Sequence, residues 1–255
     1  MKNQLKKRFR DGQPAFGAFL TQPSVGVAQL LAASGLDWLM IDLEHGMIDI
    51  SAMHAMVAAT AGTSCTPLVR TPLDDHGLIE HALDAGAHGL VFPTISTPEA
   101  AAGTVTAMHY PPDGHRGWGP FYAAAHWGLS PIDYYTAARE QLLNVILIEH
   151  HAAVAHLDEI LSVPGIDVAA IAPGDLSVSV GRPGQRDHPE VLEVIAEIER
   201  KVLASNVALG GVAFSPAEAN EKVKNGYRMV FLGADVTFLQ RAVSAALEGV
   251  DREVS

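Results

Sequence analysis

Two short apolar runs in this chain each lead to a carboxylate: Asn144-Val-Ile-Leu-Ile-Glu149, and Asp167-Val-Ala-Ala-Ile-Ala-Pro-Gly-Asp175, in which Pro173-Gly174 delivers the acid. Apolar runs of this length, flanked by turn residues, read as strands buried on both faces of a parallel sheet. Ligands gather at the carboxyl ends of such strands. A carboxylate at each of two neighbouring strand ends suits a hard divalent cation that keeps several waters for a substrate to displace. The competing reading makes Glu149 the cap of the following helix and leaves Asp175 in a turn.

Three further groups have types and positions suited to chemistry. His45 follows the apolar run that ends in Ile41-Asp42-Leu43-Glu44, so it lies just past a strand among acids. Histidine titrates close to neutrality, and a carboxylate that fixes its tautomer makes it a candidate general base; a helix-capping histidine is the alternative. Arg70 ends Pro67-Leu68-Val69-Arg70, where a buried guanidinium requires an anion, either a bound oxyanion or a structural salt-bridge partner. Asp84, in Ala82-Leu83-Asp84-Ala85-Gly86, is a lone acid at an apolar helix end and needs a partner, with a histidine of this or a neighbouring subunit as one option.

Other chemistries lack their residues. The lysines are Lys2, Lys6, Lys7, Lys201, Lys222 and Lys224, none at an expected strand end, so a Schiff base has no candidate. There is no Gly-x-Ser-x-Gly elbow, and Cys65 precedes its strand, where packing is the simpler role. His150-His151 has no third histidine at zinc spacing, and no Gly-x-Gly-x-x-Gly loop signals a nucleotide.

The elements that must position these groups alternate along the whole chain. Strands are expected at 16–20, 38–43, 67–70, 89–92, 145–149, 168–172, 208–212 and 229–232. Helices are expected at 26–33, 50–61, 76–85, 98–109, 152–162, 189–205, 216–225 and 236–247, several opened by cap-and-proline signals such as Ser96-Thr97-Pro98-Glu99 and Ser215-Pro216-Ala217-Glu218. Eight strand–helix units without a composition break imply a (β/α)8 TIM barrel over residues 1–255 as one domain, ahead of a doubly wound open sheet. The segment 110–132, rich in proline, glycine and aromatics, reads as one long irregular loop on the catalytic face.

Charge and composition narrow the partners. With 17 Lys+Arg against 29 Asp+Glu, the net charge of -12 argues against nucleic acid. No apolar stretch reaches signal-peptide or membrane-span length, and a single cysteine forms no internal disulfide, so a cytoplasmic protein is expected. Only 18% of residues are charged, which leaves surface for an oligomer interface.

Taken together, Trp38-Leu-Met-Ile-Asp-Leu-Glu-His-Gly46, Pro67-Leu-Val-Arg70, Leu83-Asp-Ala-Gly-Ala87, Tyr110-Pro-Pro-Asp-Gly-His-Arg-Gly117, Ile148-Glu149 and Ala172-Pro-Gly-Asp-Leu-Ser177 make the chain resemble the HpcH/HpaI aldolase/citrate lyase family of pyruvate-dependent class II aldolases, nearly end to end. The resemblance implies a barrel packed into a homohexamer with C-terminal helices exchanged between subunits. It implies Mg2+ or Mn2+, with Co2+ as an alternative, held by Glu149 and Asp175. It makes His45 the base, with Asp84 or Asp42 raising its basicity, and Arg70 the group facing the enolate. Pyruvate's carboxylate would meet the Gly174 and Asp175 amides, with Leu147 and Val212 completing the substrate-binding set. The implied reaction joins or separates a 2-oxo acid and an aldehyde through a 4-hydroxy-2-oxo acid. An oxaloacetate-directed or other carbon–carbon lyase of the same superfamily, and a non-catalytic barrel, are the alternatives.

One position departs from the pattern. Where members closest to the hydroxy-oxo-diacid aldolases carry a glutamine two residues before the metal glutamate, this chain has Leu147. The wall becomes less polar and suits a more apolar 2-oxo acid than pyruvate.

Overall fold

A computed structural model describes residues 3–251. Eight parallel strands, β1 (Ala15–Leu20), β2 (Trp38–Asp42), β3 (Thr66–Arg70), β4 (Gly89–Phe92), β5 (Leu143–Ile148), β6 (Val168–Ile171), β7 (Ala208–Val212) and β8 (Met229–Ala234), pair in sequence order, and β8 closes on β1. Twelve α-helices surround them: α1 (Gln4–Arg10), α2 (Val25–Ala32), α3 (Ile50–Ala58), α4 (His76–Asp84), α5 (Pro98–Met108), α6 (Phe121–Trp127), α7 (Pro131–Gln141), α8 (Leu157–Leu161), α9 (Pro173–Ser179), α10 (Pro189–Leu203), α11 (Pro216–Lys224) and α12 (Asp235–Leu247). The expected (β/α)8 TIM barrel is the fold found.

The strands are apolar throughout because each has two buried faces, and the side chains divide between them with period two. Trp38, Met40, Leu68, Val91, Val145 and Phe231 fill the barrel. The alternate residues, Leu39, Ile41, Val69, Leu90, Ile146 and Ile148, pack outward under the helices. Trp38 occupies so much of the interior that β1 must pass it as Gly17, where a Cβ would lie 2.1 Å from the indole Cδ2. Phe231 meets the same ring edge-on at 4.5 Å.

At the amino end of the barrel α1 acts as a plug. Leu5 and Phe9 join the interior core, and the Lys6 ammonium donates to the Leu142 carbonyl at 2.6 Å and to Asp167 at 2.8 Å. Cys65, also buried at this end, has its thiol pushed up to about 12 by burial, with Asp37 adding to the shift.

The expected helices all form, some shorter than expected, and four more join them. α1, α6, α7 and α9 escaped the pattern because three of them span only two turns and α7 carries no clear apolar stripe. The segment 110–132 is therefore not one irregular loop: α6 lies inside it and α7 starts at Pro131 behind the Ser130 cap. The expected helix over 152–162 is a 3-10 turn, His151–His156, running into α8. At the carboxyl end, Leu239, Val243 and Leu247 stand exposed at four-residue spacing on α12. Among the described residues no helix is long and apolar enough to cross a membrane.

Candidate active site

Parallel pairing brings every strand's carboxyl end to one mouth, and neighbouring strands meet there in register. Asp42 ends β2 opposite Arg70 at the end of β3. The pairing makes a two-point contact, Arg70 Nε to Asp42 Oδ1 at 2.8 Å and Nη2 to Oδ2 at 2.6 Å. Burial pushes the Asp42 carboxyl up, but the guanidinium outweighs it and holds the group below the usual carboxylate range. The remaining nitrogen, Nη1, lies 3.0 Å from Glu44 Oε2, and the guanidinium sits over the Phe19 ring.

The loop after β2 is shaped by the same aspartate. Asp42 Oδ1 accepts the amides of Glu44 and His45, and a Cβ at residue 46 would lie 2.2 Å from the Asp42 carbonyl, so only Gly46 passes. The Met47 amide then donates to the Thr21 carbonyl. Thr21 itself is held by Asp235, whose buried carboxylate takes the Thr21 amide, the Thr21 hydroxyl and the Gln22 amide. His45 is thus carried on a fixed backbone with its ring exposed, Nε2 lying 4.0 Å from Glu44 Oε2.

Neither acid expected to raise the basicity of His45 touches its imidazole within this chain. Asp42 is committed to Arg70, because a guanidinium buried at a strand end takes the nearest carboxylate. Asp84 accepts from the buried Arg116 Nη2 at 2.7 Å, and Arg116 lies over Tyr110 and reaches the Tyr134 hydroxyl. The capping alternatives do not occur either: Asp49 caps α3 in place of His45, and His150, not Glu149, caps the turn that follows β5.

Glu149 follows β5 into the mouth and is buried. Its Oε1 accepts the Thr94 amide at 2.6 Å, while Oε2 takes no protein donor among the described residues. Burial pushes this carboxyl up to about 7; the Thr94 amide and Arg70 oppose the shift, and the charges of Asp175 and Glu44 add to it. Asp175 is exposed in the first turn of α9, not in a free turn, and Gly174 before it is so open that a Cβ there would meet nothing within 4 Å. Two carboxylates beyond the neighbouring strands β5 and β6, one with an oxygen unpartnered and each feeling the other's charge, fit a divalent cation, which would relieve their repulsion. Among the described residues no three His, Cys, Asp or Glu side chains gather as a metal site, so the other positions would belong to water or substrate.

The floor under these groups is apolar. Leu147 is 5% exposed inside the barrel and is paired in register with Ala170, while Val212 packs against the same core. Val212 also borders, with Pro173, Arg186 and Phe214, a cleft of about 440 Å3 between α10 and α11, whose lining includes neither Glu149 nor Asp175. Sequence reasoning missed Glu44 and Thr94 as members of the site. Glu44 was readable as an acid beside His45, but nothing in Phe92-Pro93-Thr94 announces that the Thr94 amide turns inward.

The family model for HpcH/HpaI aldolase/citrate lyase matches residues 15–242. The chain is 36% identical over 250 residues to the hydroxypyruvate/pyruvate aldolase of Agrobacterium fabrum, covering 97% of this chain and 94% of that protein. It is 35% identical over 248 residues to the 2-keto-3-deoxy-L-rhamnonate aldolase of Escherichia coli K12, covering 97% and 92%. The crystal structure of an HpcH/HpaI aldolase/citrate lyase family protein from Burkholderia cenocepacia superposes with a TM-score of 0.90 at 35% identity, covering 97% of this chain and 98% of that one. Because these matches run from the first strand of the barrel into its last helix, the chain belongs to the HpcH/HpaI aldolase/citrate lyase family.

Proposed function

We propose that the chain is a class II aldolase that cleaves or forms 4-hydroxy-2-oxo acids, with pyruvate or a related 2-oxo acid on one side and an aldehyde on the other. The observation that carries this reading is the buried carboxylate of Glu149, one oxygen bound by the Thr94 amide and the other without a protein donor among the described residues, at the mouth that holds Arg70. The names of the aldolase relatives support the same reading.

Glu149 and Asp175 hold Mg2+ or Mn2+, which supplies a Lewis acid for the 2-oxo group when bound. The Gly174 and Asp175 amides, in the open first turn of α9, receive the carboxylate of the 2-oxo acid. In the cleavage direction His45 takes the proton of the C4 hydroxyl, whose oxygen becomes the aldehyde carbonyl as the C3–C4 bond breaks; that bond's electron pair forms the C2–C3 double bond and the carbonyl pair moves to the C2 oxygen. Arg70 faces the resulting enolate oxygen, and a single well-placed donor there contributes about 3 kcal/mol. Protonation at C3 completes the 2-oxo acid. Leu147 and Val212 form the apolar part of the donor pocket.

Assembly into a homohexamer with exchanged C-terminal helices is part of the proposal, supported by the exposed row Leu239, Val243 and Leu247 on α12. In that assembly a neighbouring subunit is the route by which Asp84 acts on His45. A cytoplasmic location is proposed with it.

The test is release of pyruvate from a panel of 4-hydroxy-2-oxo acids with and without Mg2+ or Mn2+. Cleavage is expected to require the ion and to vanish in Glu149→Ala and in Asp175→Ala. Full activity in either variant, or in enzyme stripped by chelator, would refute the reading.

A further inference from the structure

Thr94 is the one non-glycine residue with a positive φ, 57°, among the described residues. β-Branched residues avoid this left-handed region, and a residue found there is held by its surroundings. Here the hold is visible: Pro93 and Ile95 on either side are both buried, whereas the Thr94 side chain is exposed and its hydroxyl takes no protein partner among the described residues. Whatever the conformation achieves must therefore come from the backbone. It turns the chain between the Thr94 amide, which donates to Glu149 Oε1 at 2.6 Å in the barrel mouth, and the buried Ile95. The paired residues of β4 and β5 end at Phe92 and Ile146, so this bond continues the contact between the two strands beyond their last rung and ties it to a side chain.

The consequence is a choice between two carboxylate oxygens. Left unrestrained, Glu149 presents either oxygen, or both, to whatever lies beside Asp175. With Oε1 occupied by an amide, the free oxygen is Oε2. We propose that Thr94 is a positioning residue for Glu149: its backbone amide fixes Oε1 and so makes Oε2 the oxygen offered to a divalent cation. The proposal rests on Glu149 and Asp175 being the cation ligands, as argued above. Partners of this kind, which orient a ligand without touching the ion, typically account for about 10- to 100-fold in metal affinity.

The experiment measures Mn2+ binding without substrate, by the free-ion EPR signal, alongside the melting temperature of each protein. Amide-to-ester replacement at residue 94 removes only the N–H, and the Mn2+ dissociation constant is expected to rise about 10- to 100-fold. Thr94→Gly retains the amide and suits the positive φ, so its affinity is expected to match the wild type. An ester protein that binds Mn2+ as tightly as wild type, even with a lowered melting temperature, overturns the positioning role and leaves the aldolase reading in place. A Thr94→Gly protein weakened as much as the ester also overturns it, since the amide is then not the operative group. Wild-type protein that takes up no Mn2+ overturns the cation reading and this proposal with it.

Discussion

Arg70 and Asp42 end adjacent strands and grip each other through two parallel hydrogen bonds of 2.8 and 2.6 Å, leaving one guanidinium nitrogen toward Glu44 and the mouth. The planar fork is fully used, so a point charge cannot replace it. Arg70→Lys is expected to be nearly as damaging to cleavage as Arg70→Ala in steady-state assays; wild-type turnover in the lysine variant would show that the fork is not needed. Asp42→Ala leaves a buried guanidinium short of its partner and is expected to lower stability by about 3 to 5 kcal/mol in urea unfolding.

His45 rides on a backbone fixed by Asp42 and Thr21 while its ring stays exposed, so truncating the ring leaves the loop in place. His45→Ala is expected to lose carbon–carbon cleavage by about 100- to 10,000-fold, the usual value of a general base. Exchange of the pyruvate methyl protons in D2O, followed by NMR, should partly survive. Equal loss of both activities would move His45 from the acceptor hydroxyl to the donor carbon.

Leu147 lies inside the barrel beside Ala170 and offers the 2-oxo acid no hydrogen bond. Leu147→Gln is expected to tighten pyruvate and oxamate by about 0.5 to 1.5 kcal/mol, the net value of one hydrogen bond. Binding of 2-oxobutanoate should weaken, because apolar wall is exchanged for polar surface. Titrations of both proteins in Mg2+ decide this, and unchanged affinities for all three ligands would remove Leu147 from the donor pocket.

His88 predicts an acid dependence of stability that is independent of catalysis. Its ring is buried against Trp127 with Nε2 unpartnered, and burial pushes it down to about 3, with His126 nearby adding to the shift. An unfolded histidine titrates near 6.5, so stability is complete above that pH. Below it the unfolded chain takes up a proton that the native state refuses until about 3, and stability falls across the interval. At pH 5 the loss from this one group is about 2 kcal/mol. Urea unfolding at pH 7 and pH 5 should show it, and His88→Gln should flatten the difference; an unchanged slope would assign it to other groups.

The strands were legible in the sequence because burial on both faces demands continuous apolar runs, as in Val145 to Ile148 and Trp38 to Ile41, whose side chains divide between the two cores. That Glu149 and Arg70 stand at the mouth was legible for a related reason: a charge at the end of such a run is conspicuous. Which acid serves which base was not. Asp42 and Asp84 each took an arginine, and those pairings depend on strand register and on where Arg116 returns, 32 residues further along the chain, to Asp84 at the end of α4, distances that no local pattern encodes. The Thr94 amide was invisible because backbone donors carry no side-chain signature.

Gly17 and Trp38 carry one further consequence. Since a Cβ at residue 17 would sit 2.1 Å from the indole, every substitution of Gly17 is closed while Trp38 is present. Shrinking Trp38 alone opens a void against Phe231, so that step is costly as well. The two positions form an epistatic pair across β1 and β2, exchangeable together and locked singly. The barrel floor is therefore a place where sequence drift must cross a fitness valley.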